Sequence, residues 1–236
     1  MCYPEAGAAP QQTYLLFDAG DLGPLHCPGH GHADALSFEL WAGQQVLIID
    51  PGTYQYPGGP WRDYFRSTAA HSTATVDGQN QSVFTGPFRV ADMARARLTS
   101  VALDEGALEV SGEHDGYTRL ADPVVHQRRV RMHGAEHITI TDSFTGADEH
   151  DLALHFHLAP CTVEQRDVSS AQAIYPDGIR VDVNISSAAK GALTIEEGWL
   201  SRTWYEKEST PILSFRVRAK LPTKITTHLV IKRNVT

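Results

Sequence analysis

The chain has 236 residues, 42% of them hydrophobic, which is enough for one large domain with a sizeable core or for two small ones. Its formal net charge of −8 argues against a nucleic-acid partner, because such partners are bound by neutralising phosphates with Lys and Arg. No apolar run approaches the roughly 20 residues that span a bilayer, so no membrane partner is expected. The three cysteines are odd in number and lack CxxC spacing, which implies neither a disulfide framework nor a thiolate zinc site.

Alternation of apolar and polar residues is the main pattern along the chain, and it predicts half-buried β-strands. In chain order, strands are predicted at 14–18, 35–41, 46–50, 73–77, 108–113, 124–132, 137–144, 151–158, 179–185, 213–220 and 225–231. Turn residues separate many of these segments, and one short helical turn is expected near 61–65. Many strands with almost no helix predict an all-β sandwich or barrel.

Two histidines stand one residue apart, in Gly29-His30-Gly31-His32, just before the second predicted strand. In an extended chain, residues two apart point the same way, so both imidazoles can reach one site. Histidine is the commonest metal ligand and acid–base side chain. A pair of hydrogen-bonded loop histidines would give the same pattern, so the pair alone leaves both interpretations open.

Two later segments contain further candidate side chains. Asp50 closes an apolar run and precedes a Pro-Gly dipeptide, so it is either a ligand or a turn-forming residue. His71 stands alone before the strand predicted at 73–77, where it is either a ligand or a side chain that caps that strand. Taken singly, neither residue decides between the two interpretations.

Three motifs occur in a definite order: HGHADALSFEL, then DPGTY, then WRDYFRSTAAHST followed by TVDGQNQS. In this order they resemble the heparinase II/III family of polysaccharide lyases, most clearly over about residues 13–90. The resemblance implies that residues 1–236 form the family's C-terminal domain, a large antiparallel β-sandwich of the super-sandwich type with few or no helices. The family's N-terminal α/α toroid is not in this chain and is expected as a partner domain in the full-length protein.

The resemblance implies roles for four residues. In the family, the second histidine of HxH, the aspartate before Pro-Gly-Thr and the histidine of the AAH segment bind a metal, usually zinc; here they are His32, Asp50 and His71. Imidazole nitrogen and carboxylate oxygen are ligands that zinc favours. The first histidine, His30, matches the residue that faces the cleft and takes part in catalysis. The zinc is therefore expected to be structural, orienting the loop that carries His30.

The family's substrates are uronic-acid polysaccharides, so an acidic polysaccharide is the expected partner. A lyase removes the proton at C5 and expels the oxygen at C4, and the charge that develops on the carboxylate must be stabilised. By the resemblance, His30 is the base, or base and neutraliser, and a tyrosine and an asparagine come from the toroid. Tyr54 and Arg66, in adjoining loops, are the candidates for substrate contact. The family also implies a bacterial protein that is periplasmic or secreted.

The hairpin whose tip lies near Gly43 tests the metal assignment. A two-residue loop pairs even-numbered residues with odd-numbered ones and would place Asp50 across from Ser37. A loop with an odd number of residues pairs even-numbered residues with each other. Only the odd loop aligns Asp50 with the face of His32, unless the chain bends just after that histidine. The metal assignment therefore predicts an odd loop or a bend.

Other functions fit the same residues. The first alternative is a non-catalytic carbohydrate-binding or structural module that needs a separate toroid domain for activity. A zinc hydrolase is a further alternative, with zinc-bound water as nucleophile and Asp34 or Glu39 as general base. A cupin also has an HxH motif, but it places a glutamate closer to the second histidine than Glu39 is here, so this interpretation is set aside.

Two further groups of polar residues are interpreted as structural. The basic run Arg128-Arg129-Val130-Arg131 lies in a predicted strand and is interpreted as a solvated strand face. His155 and His157 share one face of another predicted strand, but no carboxylate motif accompanies them. They are therefore expected to be structural histidines rather than ligands.

Overall fold

A computed structural model describes residues 12–24, 26–104 and 106–233. Over these residues the chain forms one α-helix, α1 (Pro60–Arg66), and two 3₁₀ turns, Pro28–His30 and Thr68–Ala70. The strands are β1 (Thr13–Phe17), β2 (Phe38–Ala42), β3 (Gln45–Ile48), β4 (Ala74–Val76), β5 (Val83–Gly86), β6 (Arg89–Asp92), β7 (Ala96–Asp104), β8 (Ala107–Tyr117), β9 (Val124–His133), β10 (His137–Thr145), β11 (Glu149–His157), β12 (Thr162–Gln165), β13 (Ser170–Ile174), β14 (Arg180–Ser187), β15 (Gly191–Thr203), β16 (Glu206–Lys220) and β17 (Thr223–Lys232). In this part of the chain no helix has the length and apolar character needed to cross a membrane.

The strands pair antiparallel and form two main layers. One layer is an eight-stranded sheet with the order β12-β13-β14-β17-β10-β9-β8-β7. The other contains the four-stranded sheet β15-β16-β11-β4 and the three-stranded sheet β1-β2-β3. These two are joined where the Ile49 N–H donates to the His157 carbonyl. A two-stranded ribbon, β5-β6, completes the structure, and the predicted all-β sandwich is confirmed.

The core is built from alternate residues of the strands in both layers. Val130, Ile140 and Leu229 of the eight-stranded sheet, and Leu154 and Phe215 of the four-stranded sheet, are no more than 2% exposed and belong to one cluster. The period-2 pattern in the sequence therefore corresponds to burial of one strand face. Each such side chain contributes about 1.5–3 kcal/mol when it is fully buried.

The short helix predicted near 61–65 is confirmed as α1. It begins at Pro60 because the proline ring holds a helical φ and the first N–H of a helix needs no partner. The second predicted strand begins later than expected, at Phe38, because Leu36 takes a left-handed φ of 61° in a turn. That turn bends the chain between the HxH motif and β2.

The hairpin between β2 and β3 has a two-residue loop at 43–44, so the odd loop is wrong, but the other predicted alternative, a bend just after His32, is present at Ala33. The pairing shifts by one residue between Leu40 and Trp41, so β3 contains a bulge with one extra residue. The bulge restores even-with-even pairing beyond it. Asp50 is therefore in register with the even-numbered residues of β2, as the metal assignment requires. The bulge, not the length of the loop, sets this register.

Within the basic run at 128–131, Arg128 does not belong to a solvated face, which corrects the interpretation of this residue. Its side chain is fully buried and lies directly opposite Asp142 in the pairing of β9 with β10. Arg128 Nε donates to Asp142 Oδ1 at 2.7 Å, and Nη2 donates to Oδ2 at 3.2 Å. Arg129, on the other face of the strand, is exposed as expected. An arginine is buried in this way when its charge is paired.

His150, for which the sequence showed no partner, is buried between two aspartates. Its Nδ1 lies 2.8 Å from Asp77 Oδ2, and its Nε2 lies 2.8 Å from Asp122 Oδ2. Ionised carboxylates only accept hydrogen bonds, so both ring nitrogens carry protons and the ring is an imidazolium. Burial lowers the pKa of His150, but the hydrogen bonds to Asp122 and Asp77 outweigh it and the pKa is raised.

We expect His150→Gln to lower the free energy of unfolding by about 1–3 kcal/mol in mild acid, because charge-assisted hydrogen bonds are lost. The folded-state pKa of His150 lies above the ordinary value of 6.5, so its contribution is complete below that pH and is lost as the pH rises through the folded-state pKa. Urea unfolding at a series of pH values should show that the difference in free energy of unfolding between wild type and variant decreases as the pH rises. His228→Gln, at an exposed histidine, should show no gap; a gap that is independent of pH would contradict the prediction.

Candidate metal centre

The loop that contains the HxH motif is held by close backbone packing. The 3₁₀ turn Pro28–His30 leads into Gly31, where the Leu22 carbonyl approaches so closely that a Cβ would overlap it. The Gly31 carbonyl accepts a hydrogen bond from Arg66 Nε at 3.1 Å. The path of the loop is therefore determined by contacts on both of its sides.

The two histidines of the motif have different surroundings. His32 is buried, whereas His30 is exposed. The expectation that both point the same way assumed an extended chain, but His30 is the last residue of a 3₁₀ turn and the backbone becomes extended at Gly31. One residue is thus available for an internal site and the other for the surface.

His71 is oriented by a hydrogen bond on the far side of its ring. Its Nδ1 lies 2.8 Å from the Ser67 carbonyl, in the turn that ends α1. A carbonyl only accepts, so Nδ1 carries the proton and the lone pair of the neutral ring is on Nε2. That Nε2 lies 3.3 Å from Nδ1 of His32. A backbone carbonyl behind the ring in this way is typical of metal-binding histidines.

Two aspartates approach the histidine pair. Asp50 follows β3; its Oδ1 accepts the Gly52 N–H at 2.8 Å, and its Oδ2 lies 3.5 Å from His71 Nε2. Gly52 has a φ of 80°, so the turn that orients Asp50 favours glycine. Asp34 is the second: one of its oxygens and one ring nitrogen from each of His32 and His71 all lie within 4.8 Å of one another.

A cavity of about 350 Å³ opens beside these side chains, and its lining includes the carboxylates of Asp18, Asp34, Glu39 and Asp50. Burial raises the pKa of Asp34 well above its usual range, and the charges of Asp18 and Asp50 raise it further. Burial, with the charge of Asp50, raises the pKa of Glu39 to about 7. The cavity therefore gathers acidic groups whose charged forms are disfavoured unless a positive charge lies near them.

This set of donor atoms fits a divalent cation such as zinc. Burial, followed by the nearby His71, lowers the pKa of His32 to about 2, so His32 is neutral. The lone pair of His71 Nε2 and the nearby carboxylate oxygens repel one another unless a positive charge lies between them. They are also the ligand types that zinc favours. The residues that would hold it are His32 and His71, with Asp34, Asp50 or both.

The structure brings two of the three predicted ligands, His32 and His71, together with Asp34. Asp50, the third, lies outside that group of three but approaches His71, with Oδ2 3.5 Å from Nε2. Sequence reasoning considered Asp34 only as a general base. The signal that pointed to it is its position two residues after His32, which continues the spacing of the HxH motif. A motif written HxHxD would have included it.

His30 lies at the exposed end of the same loop, next to aromatic rings. Its ring centroid is 5.0 Å from that of Tyr56 and 5.4 Å from that of Phe88, both edge-on. Edge-on contacts fix the orientation of the imidazole without covering it. A solvent-accessible imidazole is suited to acid–base chemistry on a bound molecule.

The two predicted substrate-contact residues, Arg66 and Tyr54, have different surroundings. Arg66 is 2% exposed, and its guanidinium donates to three carbonyls, those of Gly31, Gly86 and Pro87. It positions the loop that carries His30 and presents no free face to a substrate. Tyr54 is half-buried, with its ring stacked on Phe65 at 5.6 Å. Sequence reasoning weighed packing against substrate contact for both residues, and the surroundings of Arg66 favour packing.

Comparison with known proteins gives matches along most of the chain. The family model described as "Heparinase II/III-like, C-terminal" matches residues 6–228. A heparin-sulfate lyase of Bacteroides stercoris is 22% identical over 213 residues, which cover 87% of this chain and 29% of that protein. A heparin-sulfate lyase of Pedobacter heparinus is 24% identical over 196 residues, covering 80% of this chain and 28% of that protein. The chain thus spans less than a third of the length of these curated relatives.

Solved structures share the fold. A crystal structure of heparinase III superposes with a TM-score of 0.81 at 17% identity, covering 98% of this chain and 35% of that chain. Heparan sulfate lyase HepC from Pedobacter heparinus superposes with a TM-score of 0.77 at 20% identity, covering 95% of this chain and 34% of that one. At these identities the likeness shows that the β-sandwich architecture is shared.

Proposed function

The chain belongs to the heparinase II/III-like C-terminal family, and from this premise we propose that it is the histidine- and metal-bearing domain of a lyase that cleaves uronic-acid-containing polysaccharides by β-elimination. One observation carries the proposal. An exposed histidine, His30, stands on the same loop as His32, which packs against His71 beside the partly buried carboxylates of Asp34 and Asp50. This arrangement supplies a fixed acid–base group at a surface.

β-Elimination requires a base for the C5 proton, an acid for the C4 oxygen, and stabilisation of charge on the uronate carboxylate. His30 is the base in this proposal, since its imidazole is exposed and its ring is held by Tyr56 and Phe88. Arg62 donates to the Gly29 carbonyl at 3.2 Å, directly before His30. A buried guanidinium so close to the site favours an acidic sugar over a neutral one.

The proposed cofactor is one structural Zn²⁺. When bound, it would fix the relative positions of the loops that contribute its ligands. The protein prepares these loops through its own contacts: Ser67 orients His71, Gly52 orients Asp50, and Arg66 holds the Gly31 carbonyl. Such supporting contacts typically change metal affinity 10–100-fold when they are removed.

The proposal includes a further domain, because the chain covers only part of the length of its relatives. Because the chain spans 29% and 28% of its two curated relatives, we propose that an additional domain, an α/α toroid by the family resemblance, supplies the remaining catalytic groups. The same observation favours a second candidate function, a carbohydrate-binding module that turns over nothing by itself. A periplasmic or secreted location is proposed with the family, and cell fractionation tests it.

Lyase activity is tested by following the ultraviolet absorbance of unsaturated uronate ends released from heparan sulfate and from alginate. We expect release by the full-length protein. His30→Gln should lower the rate about 10²–10⁴-fold, the usual contribution of a positioned acid–base group. Zinc content and melting temperature should stay unchanged in this variant, because His30 lies outside the buried set.

His133→Gln, at an exposed histidine at the end of β9, is the matched control and should keep the wild-type rate. A wild-type rate in His30→Gln would remove His30 from the mechanism. Binding of the polysaccharide without product release, with the toroid present, would replace the lyase by the binding module.

A further inference from the structure

Exposed aromatic side chains extend from His30 across the neighbouring loops. Four of them are between 37% and 62% exposed: Tyr56, Phe88, Trp204 and Tyr205. Large apolar side chains that are exposed singly are ordinary, but a connected group of them marks a binding surface. We call these four residues the aromatic platform.

Ring contacts connect the platform to the candidate catalytic histidine. The Tyr56 ring centroid lies 5.0 Å from that of His30 and 5.6 Å from that of Phe88. It also lies 4.5 Å from that of Trp204. Contacts at these distances are in the range that aromatic pairs prefer. A ligand bound next to His30 would therefore meet Tyr56 and then Trp204.

The outer part of the platform is held by the backbone. Trp204 and Tyr205 form the two-residue turn between β15 and β16, and Tyr205 has a left-handed φ of 61°. The Tyr205 N–H donates to the Tyr54 carbonyl at 3.0 Å, and the Ser201 N–H donates to the Pro51 carbonyl at 2.8 Å. The hairpin tip is thus attached to the loop that follows Asp50. A surface ordered before binding loses little conformational entropy when a ligand binds.

Positive charge lies behind the platform. Arg62 and Arg66 are buried, and within the described part of the chain their hydrogen bonds go to carbonyls rather than to carboxylates. One nitrogen of each guanidinium, Nη1 of Arg62 and Nη2 of Arg66, has no hydrogen-bond partner there. The Arg62 guanidinium carbon lies 5.4 Å from the Tyr56 ring centroid and 5.8 Å from that of Phe88. Charge that is not neutralised in buried surroundings gives the surface above it a positive potential.

A further cation lies against the aromatic residues beneath the hairpin. Lys207 Nζ is 4.2 Å from the Trp61 ring centroid and 4.1 Å from that of Trp199. A cation held on ring faces keeps its charge and stays near the surface. The platform therefore combines apolar ring faces with the buried Arg62 guanidinium against Tyr56 and Phe88, and Lys207 follows two residues after Tyr205.

We propose that the aromatic platform is a stacking subsite for a sugar unit of an acidic oligosaccharide that continues outward from His30, with Trp204 as its central contact. Sugar rings present C–H faces that pack on aromatic rings, and carboxylate or sulfate groups are attracted by the buried arginines and by Lys207. A purely apolar partner would gain nothing from these charges. The class of ligand, an acidic oligosaccharide, rests on the proposed function. The binding surface and the central role of Trp204 go beyond it.

The test is isothermal titration calorimetry of the chain with a size-fractionated heparan sulfate oligosaccharide. Trp204→Ala should raise Kd roughly tenfold or more, as expected for a central aromatic contact. Trp204→Phe keeps an aromatic face and should recover most of the affinity. Tyr14→Ala is the matched control, since Tyr14 is similarly exposed but packs on Trp41, and it should bind like the wild type. A neutral oligosaccharide of the same length should bind more weakly.

The possible outcomes separate this inference from the proposed lyase function. Wild-type Kd in Trp204→Ala overturns the subsite and leaves the lyase proposal standing. No binding by the wild-type chain also overturns it; if the full-length protein still releases unsaturated uronate, another domain covers the platform instead. Trp204-dependent binding without any product release supports the subsite and contradicts the lyase. Equal melting temperatures of wild type and Trp204→Ala exclude unfolding as the cause of weaker binding.

Discussion

Replacing His71 by alanine is expected to abolish metal binding, reducing zinc in the purified chain from about one ion to nearly none. The side chain is 1% exposed, and its Nε2 faces His32 Nδ1 at 3.3 Å and Asp50 Oδ2 at 3.5 Å. The Ser67 carbonyl accepts a hydrogen bond from His71 Nδ1, so the Nε2 lone pair faces the site, and alanine has no such donor atom. Structural zinc sites contribute folding free energy directly, so the melting temperature should fall together with the metal content.

Elemental analysis and thermal unfolding with and without a chelator measure this effect. A chelator should lower the melting temperature of the wild type and leave His71→Ala unchanged. His155→Gln is the matched control: this histidine is also buried, but its partners are Thr75 and Ser214, so zinc should be retained. Stoichiometric zinc in both His71→Ala and His32→Ala would exclude the assignment.

Arg128→Met is expected to lower the free energy of unfolding by about 3–5 kcal/mol, because it leaves a buried carboxylate without its counter-charge. Burial by itself raises the pKa of Asp142, but Arg128, together with His126, holds that pKa below its ordinary value. Arg128 Nη1 also donates to the Leu36 carbonyl at 2.9 Å and to the Ser72 carbonyl at 2.6 Å. Leu36 lies two residues after Asp34, and Ser72 directly follows His71, so zinc affinity should fall as well.

Urea unfolding at neutral pH measures the loss. Arg129→Met is the matched control, since Arg129 is the next residue on the solvent face and should change stability by no more than about 0.5 kcal/mol. The double variant Arg128→Met/Asp142→Leu should recover part of the loss, because both charges are then absent. Equal stability of Arg128→Met and Arg129→Met would show that the buried pair contributes nothing.

Most strands with an alternating buried face were predictable, whereas three strands at sheet edges, and β13 inside the eight-stranded sheet, were not predicted. The alternation that marks β9, β10, β14 and β17 follows from one buried face. By contrast, β7 and β12 are the two edges of the eight-stranded sheet and β15 is an edge of the four-stranded sheet. An edge strand such as β7 is exposed along nearly all its length, so its sequence has little hydrophobic alternation. None of these three was predicted.

The alternation in β9 indicated that Arg128 is buried, although its charge suggested an exposed side chain. In β9, Val124 and Val130 are buried, and Arg128 shares their parity. In β10, Asp142 shares the buried face of Ile140 in the same way. An ion pair on an inner face needs both strands in register, and the sequence of one strand does not show which residue lies opposite.

The sequence alone determined the fold class and the local motifs, because side-chain period and residue chemistry are properties of neighbouring residues. With the family resemblance, those motifs predicted His30, His32, Asp50 and His71 as candidate site residues. The tertiary structure decided which of these share a site, since a 3₁₀ turn sends His30 outward and a bulge, not the loop length, sets the parity of Asp50. It also assembled the aromatic platform from three separate loops, because contacts between distant segments depend on strand register and loop packing.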